Sequence, residues 1–311
     1  MESKLSWAGK RVLVTGGTGF IGSVFVEKLI SLGAVLRVPV RAQTYRLLSK
    51  LRAKIEWVDG DLRDSEYCEK LLEGVDHVFH MASYRRNVDF HHTHCADVLA
   101  GNVEMTLALS AALKGHPDLP VIFFSSANVP PEIDVIRLAQ QEKTDGYVLG
   151  KALCETFWLT ASRQYGFPLL IVRPVGTYGE RDTFTEEGNV IPSLMVKAET
   201  KDHLEVWGSG KQERVFLYAN DLVDAVLCLN EHGATGIQYV IPPQLTTIAK
   251  LATMIRDIVR PGLSIIFDKT KPEGSRTLAV LPIHPCLKDF PWTPLEEGLK
   301  RTYKGWKAKG K

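Results

Sequence analysis

The 311 residues are enough for a full hydrophobic core, as one large domain or one domain with a smaller lobe, and 45% apolar with 24% charged residues suits a soluble globular enzyme. Thirty-eight basic against 36 acidic residues leave a net charge of +2, which gives no reason to propose nucleic acid; the basic C-terminus (Lys300, Arg301, Lys304, Lys307, Lys309, Lys311) reads as a solvated helix end. No apolar stretch approaches the roughly 20 residues of a membrane span and Met1 to Lys10 lacks a signal peptide's apolar core, so a cytoplasmic protein away from the membrane is expected, its five scattered cysteines reduced.

The chain opens on the apolar run Arg11 to Val14, then Thr15-Gly16-Gly17-Thr18-Gly19-Phe20-Ile21-Gly22, with Ile21, Phe25 and Leu29 at helical spacing. A strand, a glycine turn and a helix start in that order form a dinucleotide-binding unit. One glycine allows the turn, one lets the backbone approach the pyrophosphate, and one lets the helix pack on its strand, its N-terminus facing the phosphates. The helix closes at Ser31-Leu32-Gly33, and a second strand, Ala34 to Val40, ends in Arg37-Val38-Pro39-Val40-Arg41. NAD-preferring units carry an acidic residue there for the ribose 2′-OH. No carboxylate stands at this place, and an arginine fork could hold a 2′-phosphate, so NADP is expected, with NAD the alternative. Arg41 is the first candidate and Arg46 the second; Arg41 as the mere start of a solvated helix is the competing reading.

A third strand, Ile55 to Val58, runs into Asp59-Gly60-Asp61-Leu62-Arg63-Asp64, where Asp61 could accept from the adenine amino group and Asp64 suits a helix N-cap. The fourth strand region, Val75 to Ser83, ends in Met81-Ala82-Ser83, small enough for a cofactor to lie against the backbone. Strands alternating with helices of about a dozen residues predict an α/β fold, a doubly wound parallel sheet with ligands at the carboxyl ends of its strands. The run His91-His92-Thr93-His94-Cys95 fits neither a helical His pair nor a paired Cys site, so it reads as a polar, partly exposed loop and no metal is expected. Asp97 to Lys114 is a helix with Val98, Val103, Leu107 and Leu113 on its apolar side and Asn102 interrupting it. A fifth strand, Pro120 to Phe124, delivers Ser125-Ser126-Ala127-Asn128 to the ligand end.

Tyr147-Val148-Leu149-Gly150-Lys151 opens the next helix, and residues at i and i+4 share a face. A tyrosine at its usual pKa of about 10 is a poor base at neutral pH. A neighbouring ammonium and a cationic nicotinamide favour the phenolate, so the pair can exchange a proton with a substrate oxygen while hydride moves to or from the cofactor. Ser126 would hold that oxygen in line.

With GGTGFIGS, GDLRD, HMAS, the serine strand end, YVLGK, RPVGTYG and a long C-terminal tract, the chain resembles the extended short-chain dehydrogenase/reductases, the family of nucleotide-sugar epimerases, dehydratases and reductases. The resemblance implies a Rossmann-type domain over about 1–175 and a smaller nucleotide-sugar lobe over 176–311. It implies a catalytic Ser126, Tyr147 and Lys151, Lys151 also holding the nicotinamide ribose. The cofactor would further meet Asp61 and Leu62 at the adenine, Met81, Ala82 and Ser83, and Pro174, with Asn102 in the supporting network. The tract Asn189-Val190-Ile191-Pro192, Val206-Trp207-Gly208, Arg214 to Tyr218 and Asn220-Asp221-Leu222 resembles the GDP-fucose synthase branch. By that resemblance Val190 to Ala198, Trp207 and Arg214 line the substrate pocket, with Arg214 on the diphosphate. Arg276 is a weaker second candidate, and Arg85 stands near the family's substrate-side lysine. Asp221 is expected to cap the helix Leu222 to Leu229. Relatives dimerise through the helices that start here near Asp97 and Tyr147, so a homodimer is expected.

The departures narrow the chemistry. Fucose synthases use a Cys and a His for epimerisation at C3 and C5; here those places read Asn128 and Asn189, and amides are neither acids nor bases near neutral pH. The dehydratases' acidic pair is replaced by Ala127-Asn128, and Gly176 and Pro130-Pro131 also depart from the family pattern. Three readings stand: an NADP-dependent 4-keto reductase of a nucleotide-linked sugar, a 4-epimerase holding its NAD tightly, and a binding protein that keeps the cofactor fold without turnover.

Overall fold

A computed structural model describes residues 6–41, 46–86, 88–271 and 281–309. In chain order the elements begin β1 (Arg11–Thr15), α1 (Phe20–Ser31), β2 (Val35–Val40), β3 (Ile55–Asp59), α2 (Ser65–Leu72), β4 (His77–His80), α3 (Val88–Thr93), α4 (Cys95–Ala112) and β5 (Val121–Phe124). They continue α5 (Val135–Ala139), α6 (Gly146–Tyr165), β6 (Leu169–Pro174), β7 (Gly176–Tyr178), α7 (Val190–Thr200), β8 (His203–Trp207), β9 (Glu213–Tyr218) and α8 (Ala219–Glu231). The last are β10 (Gly236–Val240), β11 (Leu245–Thr247), α9 (Ile248–Val259), β12 (Ser264–Asp268) and α10 (Leu295–Lys309). The chain falls into two compact units, 1–173 with 226–239, and 174–225 with 240–311.

The first unit is built on a seven-stranded sheet in the order β10-β6-β5-β4-β1-β2-β3, whose β1–β2, β2–β3, β1–β4, β4–β5 and β5–β6 pairs are parallel. The chain order reverses between β1 and β4, the switch point at which doubly wound sheets open a ligand crevice. The central strands β4 and β5 are short runs such as Val121-Ile122-Phe123-Phe124, buried throughout, as a sheet covered on both faces requires. Leu13, Leu71, Val78, Leu109, Leu113, Phe123, Trp158 and Ile171 fill one side of it.

α4 and α6 pack closely, because a Cβ on Gly146 would run into the Cys95 carbonyl oxygen. The face of α4 differs from its sequence periodicity. Leu107 is 43% exposed, while Asn102 is buried and fully used. Its Nδ2 donates to the Val98 and Tyr84 carbonyls at 2.7 and 3.0 Å, and its Oδ1 accepts from the Ser83 hydroxyl and the Tyr84 N–H at 2.8 and 3.1 Å. A buried amide with all its bonds made outranks a leucine for the interior position. Counted to Gly115, this helix is, against the expectation from the sequence, long and apolar enough to cross a membrane by length and composition; its inner side packs on α2 and α6.

The run His91 to Cys95 is also not a loop. His91, His92 and Thr93 close α3, Cys95 opens α4, and His91 is buried at 3% exposure. The short helix forms because its histidines find partners on the stretch that opens α6, which no periodicity in the run announces.

The second unit carries the three-stranded sheet β11-β9-β7 and the parallel pair β8–β12. α7, α9 and α10 cover a core of Ile191, Leu194, Met195, Leu204, Val206, Tyr218, Leu251, Ile255 and Leu299. Asp221 lies inside the first turn of α8 instead of capping it, and its carboxylate accepts from the Thr293 N–H and hydroxyl, both at 2.7 Å.

Behind the fifth strand of the first unit lies a buried ion pair. Glu155, wholly buried on α6, accepts from Arg173 Nε at 2.9 Å and from the Ser125 hydroxyl, while Arg173 Nη1 reaches the Tyr239 hydroxyl at 2.6 Å and the Pro130 carbonyl at 3.1 Å. Removing one buried partner strands the other charge, at a cost of about 3–5 kcal/mol. Arg173→Met should therefore lose roughly that much in urea unfolding, and adding Glu155→Gln to it should recover part of the loss; equal stability of the two variants would contradict the pairing.

Candidate active site

Thr15 ends β1 and fixes the glycine turn against the end of β4. Its Oγ1 accepts from the Ala82 N–H at 3.1 Å and bonds His80 Nδ1 at 2.8 Å, and its carbonyl accepts from the Met81 N–H at 3.2 Å. Burial, with the Lys151 charge second, pushes the His80 pKa down to about 3, so the ring is neutral. Gly16 has φ of +69°, and a Cβ there would stand 2.7 Å from the Ala82 nitrogen. A Cβ on Gly22 would run into the Gly16 carbonyl oxygen, so both residues must be glycine for α1 to start where it does.

The turn leaves an anion cradle. Gly19 is the N-cap of α1 with no side-chain cap, and the first turn holds no acidic residue. Thr18, Phe20 and Ile21 are half-buried around it and Gly19 is exposed. Such a helix start suits the pyrophosphate of a dinucleotide. Arg41 follows β2 directly and is exposed; Arg46 opens a 3-10 turn, Arg46–Lys54. Arg37, two residues inside β2, is spent elsewhere, donating to the Leu71 and Glu73 carbonyls at 2.9 Å each and to Glu56 at 3.0 Å. The Asp61 carboxylate is gripped by Arg63, at 2.6 Å from Nη2, which with the backbone bond holds its pKa below the usual range. Leu62 next to it is buried.

On the other side of the switch point Asp145 caps α6, accepting from the Tyr147 and Val148 N–H groups at 2.9 and 3.2 Å. Tyr147 and Lys151 follow on one face, the Lys151 nitrogen 5.8 Å from the phenol ring centre. Lys151 is buried at 2% exposure and donates to the Phe124 carbonyl at 2.6 Å, which ties α6 to the end of β5. Burial lowers its pKa to about 8, and burial raises that of Tyr147, with the Arg85 charge opposing. Ser126, two residues past Phe124, accepts the Asn128 N–H on its Oγ at 3.2 Å, leaving its own proton free to be donated. Arg85 lies over the Tyr147 ring at 5.8 Å from its centre, and Met81, Ala82 and Ser83 lead to it from β4.

The remaining sequence candidates lie mostly in the second unit. Asn189 is the N-cap of α7, its Nδ2 3.3 Å from Asp182 Oδ1, and Val190 begins the helix. Trp207, 49% exposed at the end of β8, donates to Glu205 at 3.0 Å and has the Lys197 and Lys271 ammoniums 5.4 and 5.6 Å from its ring centre. Arg214 lies in β9 opposite Thr246, and burial works against its charge, where a guanidinium gains most from an anion. Pro174 ends β6, Asn128 is exposed, and Arg276 lies outside the described residues. Sequence reasoning misses His91 and the Glu155–Arg173 pair; the one available signal is a Glu four residues after Lys151 and so on the same helix face, which when buried needs a cationic partner.

The sequence profile of the NAD dependent epimerase/dehydratase family matches residues 12–241, and the chain belongs to that family. It is 31% identical to a dTDP-4-dehydro-6-deoxy-D-allose reductase of Streptomyces bikiniensis, over 95% of this chain and 96% of that one. A probable GDP-L-fucose synthase 1 of rice, Oryza sativa subsp. japonica, is 26% identical over 97% and 93%. Among solved structures, a UDP-N-acetylglucosamine 4-epimerase from Methanobrevibacter ruminantium M1, in complex with UDP-N-acetylmuramic acid, superimposes with a TM-score of 0.83 at 25% identity, covering 98% of this chain and all of that one. The chain is an NAD(P)-dependent enzyme of the nucleotide-sugar type.

The depressed lysine has a thermodynamic signature. Moving its pKa from 10.5 to about 8 corresponds to about 3 kcal/mol that the folded state gives up at neutral pH to keep the ammonium charged. Between those values the unfolded chain holds the proton that the folded chain releases, so wild-type stability should rise with pH above about 8. Lys151→Met should unfold at or above the wild-type temperature at pH 7 and lose that alkaline rise, while turnover disappears; calorimetry at pH 7 and 9 checks both.

Proposed function

We propose that the chain is an NADP-dependent 4-keto reductase of a nucleotide-linked keto-sugar, transferring hydride at the sugar C4 without epimerisation at C3 or C5. A bound nicotinamide would supply the hydride. Ser126 would hold the keto oxygen by a hydrogen bond from its hydroxyl, keeping its own proton. Tyr147, kept protonated at neutral pH by burial, would deliver a proton to that oxygen as negative charge grows on it. The nearby Lys151 ammonium lowers the cost of the phenolate left behind.

The observation that carries this reading is the pairing of Tyr147 with a buried Lys151 in a chain whose two epimerisation positions are amides, Asn128 and Asn189. The full-length similarity to a 4-dehydro-sugar reductase supports it. NADP is favoured over NAD because the stretch 37–41, in which β2 ends, carries no carboxylate of its own. On the substrate side we assign Arg85, Val190, Trp207 and Arg214, the last for the diphosphate. A cytoplasmic homodimer through α4 and α6 is supported by the exposed Leu107 and Phe157 on those helices and by five free cysteines. A 4-epimerase reading is favoured by the likeness to the Methanobrevibacter enzyme, and would use Ser126, Tyr147 and Lys151 of this chain as well.

The purified protein should be analysed for retained nicotinamide and offered nucleotide sugars and their 4-keto forms while absorbance is followed. NADPH oxidation that needs a keto-sugar is expected. Retained NAD with interconversion of ordinary nucleotide sugars would overturn the reductase in favour of the epimerase, and cofactor binding with no turnover would favour a binding protein. Tyr147→Phe should reduce kcat by roughly 10²–10⁴-fold with NADPH affinity nearly unchanged; turnover close to wild type would remove Tyr147 from its role.

A further inference from the structure

α3 has six residues, too few to hold itself in water, and what holds it is the start of α6. His92 Nδ1 bonds the Thr144 carbonyl at 3.1 Å. His91 goes further, stacking its ring on Tyr147 with centroids 5.2 Å apart and planes 18° from parallel. Its Nε2 lies 3.1 Å from the Arg86 N–H. A backbone N–H can only donate, so Nε2 carries the lone pair and the neutral ring bears its proton on Nδ1. That Nδ1 is 3.7 Å from Asp145 Oδ1, the oxygen that caps α6 through the Tyr147 and Val148 N–H groups.

We infer that His91 is a positioning residue for Tyr147: one neutral imidazole braces the phenol by its face, anchors through Arg86 the segment that brings Arg85 over that phenol, and turns Nδ1–H to the cap of α6. The inference rests on the reading of Tyr147 as the proton donor of the reduction. The charged and titratable groups around the two rings are Arg85 from the segment after β4, His92 from α3, and Asp145 and Lys151 from the start of α6. Burial keeps the His91 pKa down, with the Asp145 charge opposing, so the neutral ring is the working form. Protonation of Nε2 would expel the Arg86 N–H and release Arg85.

Two substitutions separate the functions of the ring. His91→Phe keeps the phenol face covered but leaves the Arg86 N–H without an acceptor, so Arg85 should be held less firmly over Tyr147. The phenol then loses the charge that lowers its pKa, and its ionisation should move up. His91→Gln keeps an acceptor but uncovers the ring to water, so ionisation should move down toward the ordinary value. Each shift should be roughly 0.5–1 pH unit, read as tyrosinate absorbance with the matching Tyr147→Phe protein subtracted. In turnover, His91→Phe should lose roughly 10-fold in kcat with KM little changed, and His91→Gln should recover part of it.

Shifts of opposite sign support the role. Titrations that coincide with wild type, or move the same way in both variants, overturn it. If His91→Phe fails to unfold cooperatively, the His91→Gln titration decides alone, a downward shift supporting the role and any other result overturning it. The titration needs no substrate, so it judges His91 even if no keto-sugar is turned over; unchanged titrations in an active reductase would sink His91 and leave the reductase standing.

Discussion

The hydrogen bond from the buried Lys151 ammonium to the Phe124 carbonyl, 2.6 Å long, is the constraint on which the catalytic half of the first unit depends. An ammonium inside a protein stands at a free-energy disadvantage unless its protons are taken up. Here one goes to the last carbonyl of β5, which is where Ser126 begins its turn. That contact ties α6, which carries Tyr147 one turn before Lys151, to the strand end that leads into Ser126. The other contacts of α6 serve that placement. Asp145 sets its first turn, Gly146 lets it lie against α4, and the Glu155–Arg173 pair pins its next turn to β6.

The cofactor end of the same sheet is organised by sterics more than by charge. Gly16 and Gly22 stand where backbone meets backbone, and Thr15 converts that closeness into hydrogen bonds with the end of β4. The Thr15 oxygen accepts from the Ala82 N–H and shares a second hydrogen bond with the buried, neutral His80 ring. The turn is thus locked from the strand side, and the uncapped start of α1 is left for a ligand. A preformed cradle of this kind binds without reorganising, which spares affinity the cost of ordering a loop.

Local features are the ones legible in sequence. The strand, glycine turn and helix from Arg11 to Ser31 are continuous in the chain, and so is the Tyr147–Lys151 pair on one helical face. The caps at Asp64 and the parallel sheet follow from short-range chemistry and from the alternation of elements. What escapes is whatever depends on a partner far along the chain. Asn102 reads as an interruption of an apolar helix and is in fact its best-satisfied residue, because its bonds go to Ser83 and Tyr84, about eighteen positions back. His91 reads as part of a polar loop because Tyr147 and Asp145 are more than fifty residues away. Asp221 reads as a cap, and its partner Thr293 is 72 positions on.

The chemistry left open to the chain follows from a count of its acids and bases. Reduction at one carbon needs one hydride and one proton, and Tyr147 with Lys151 can provide that proton and absorb the charge it leaves. Epimerisation at neighbouring carbons needs two further groups able to take and return protons near neutral pH. At the positions that the fucose-synthase resemblance assigns to those groups, Asn128 has only a side-chain amide, its backbone N–H engaged with the Ser126 hydroxyl, and Asn189 has an amide directed at the Asp182 carboxylate. Neither exchanges protons in that range, whatever its orientation. On that assignment, a substrate that already carries its final configuration beside C4 is the one that Tyr147 and Lys151 can finish with one hydride and one proton.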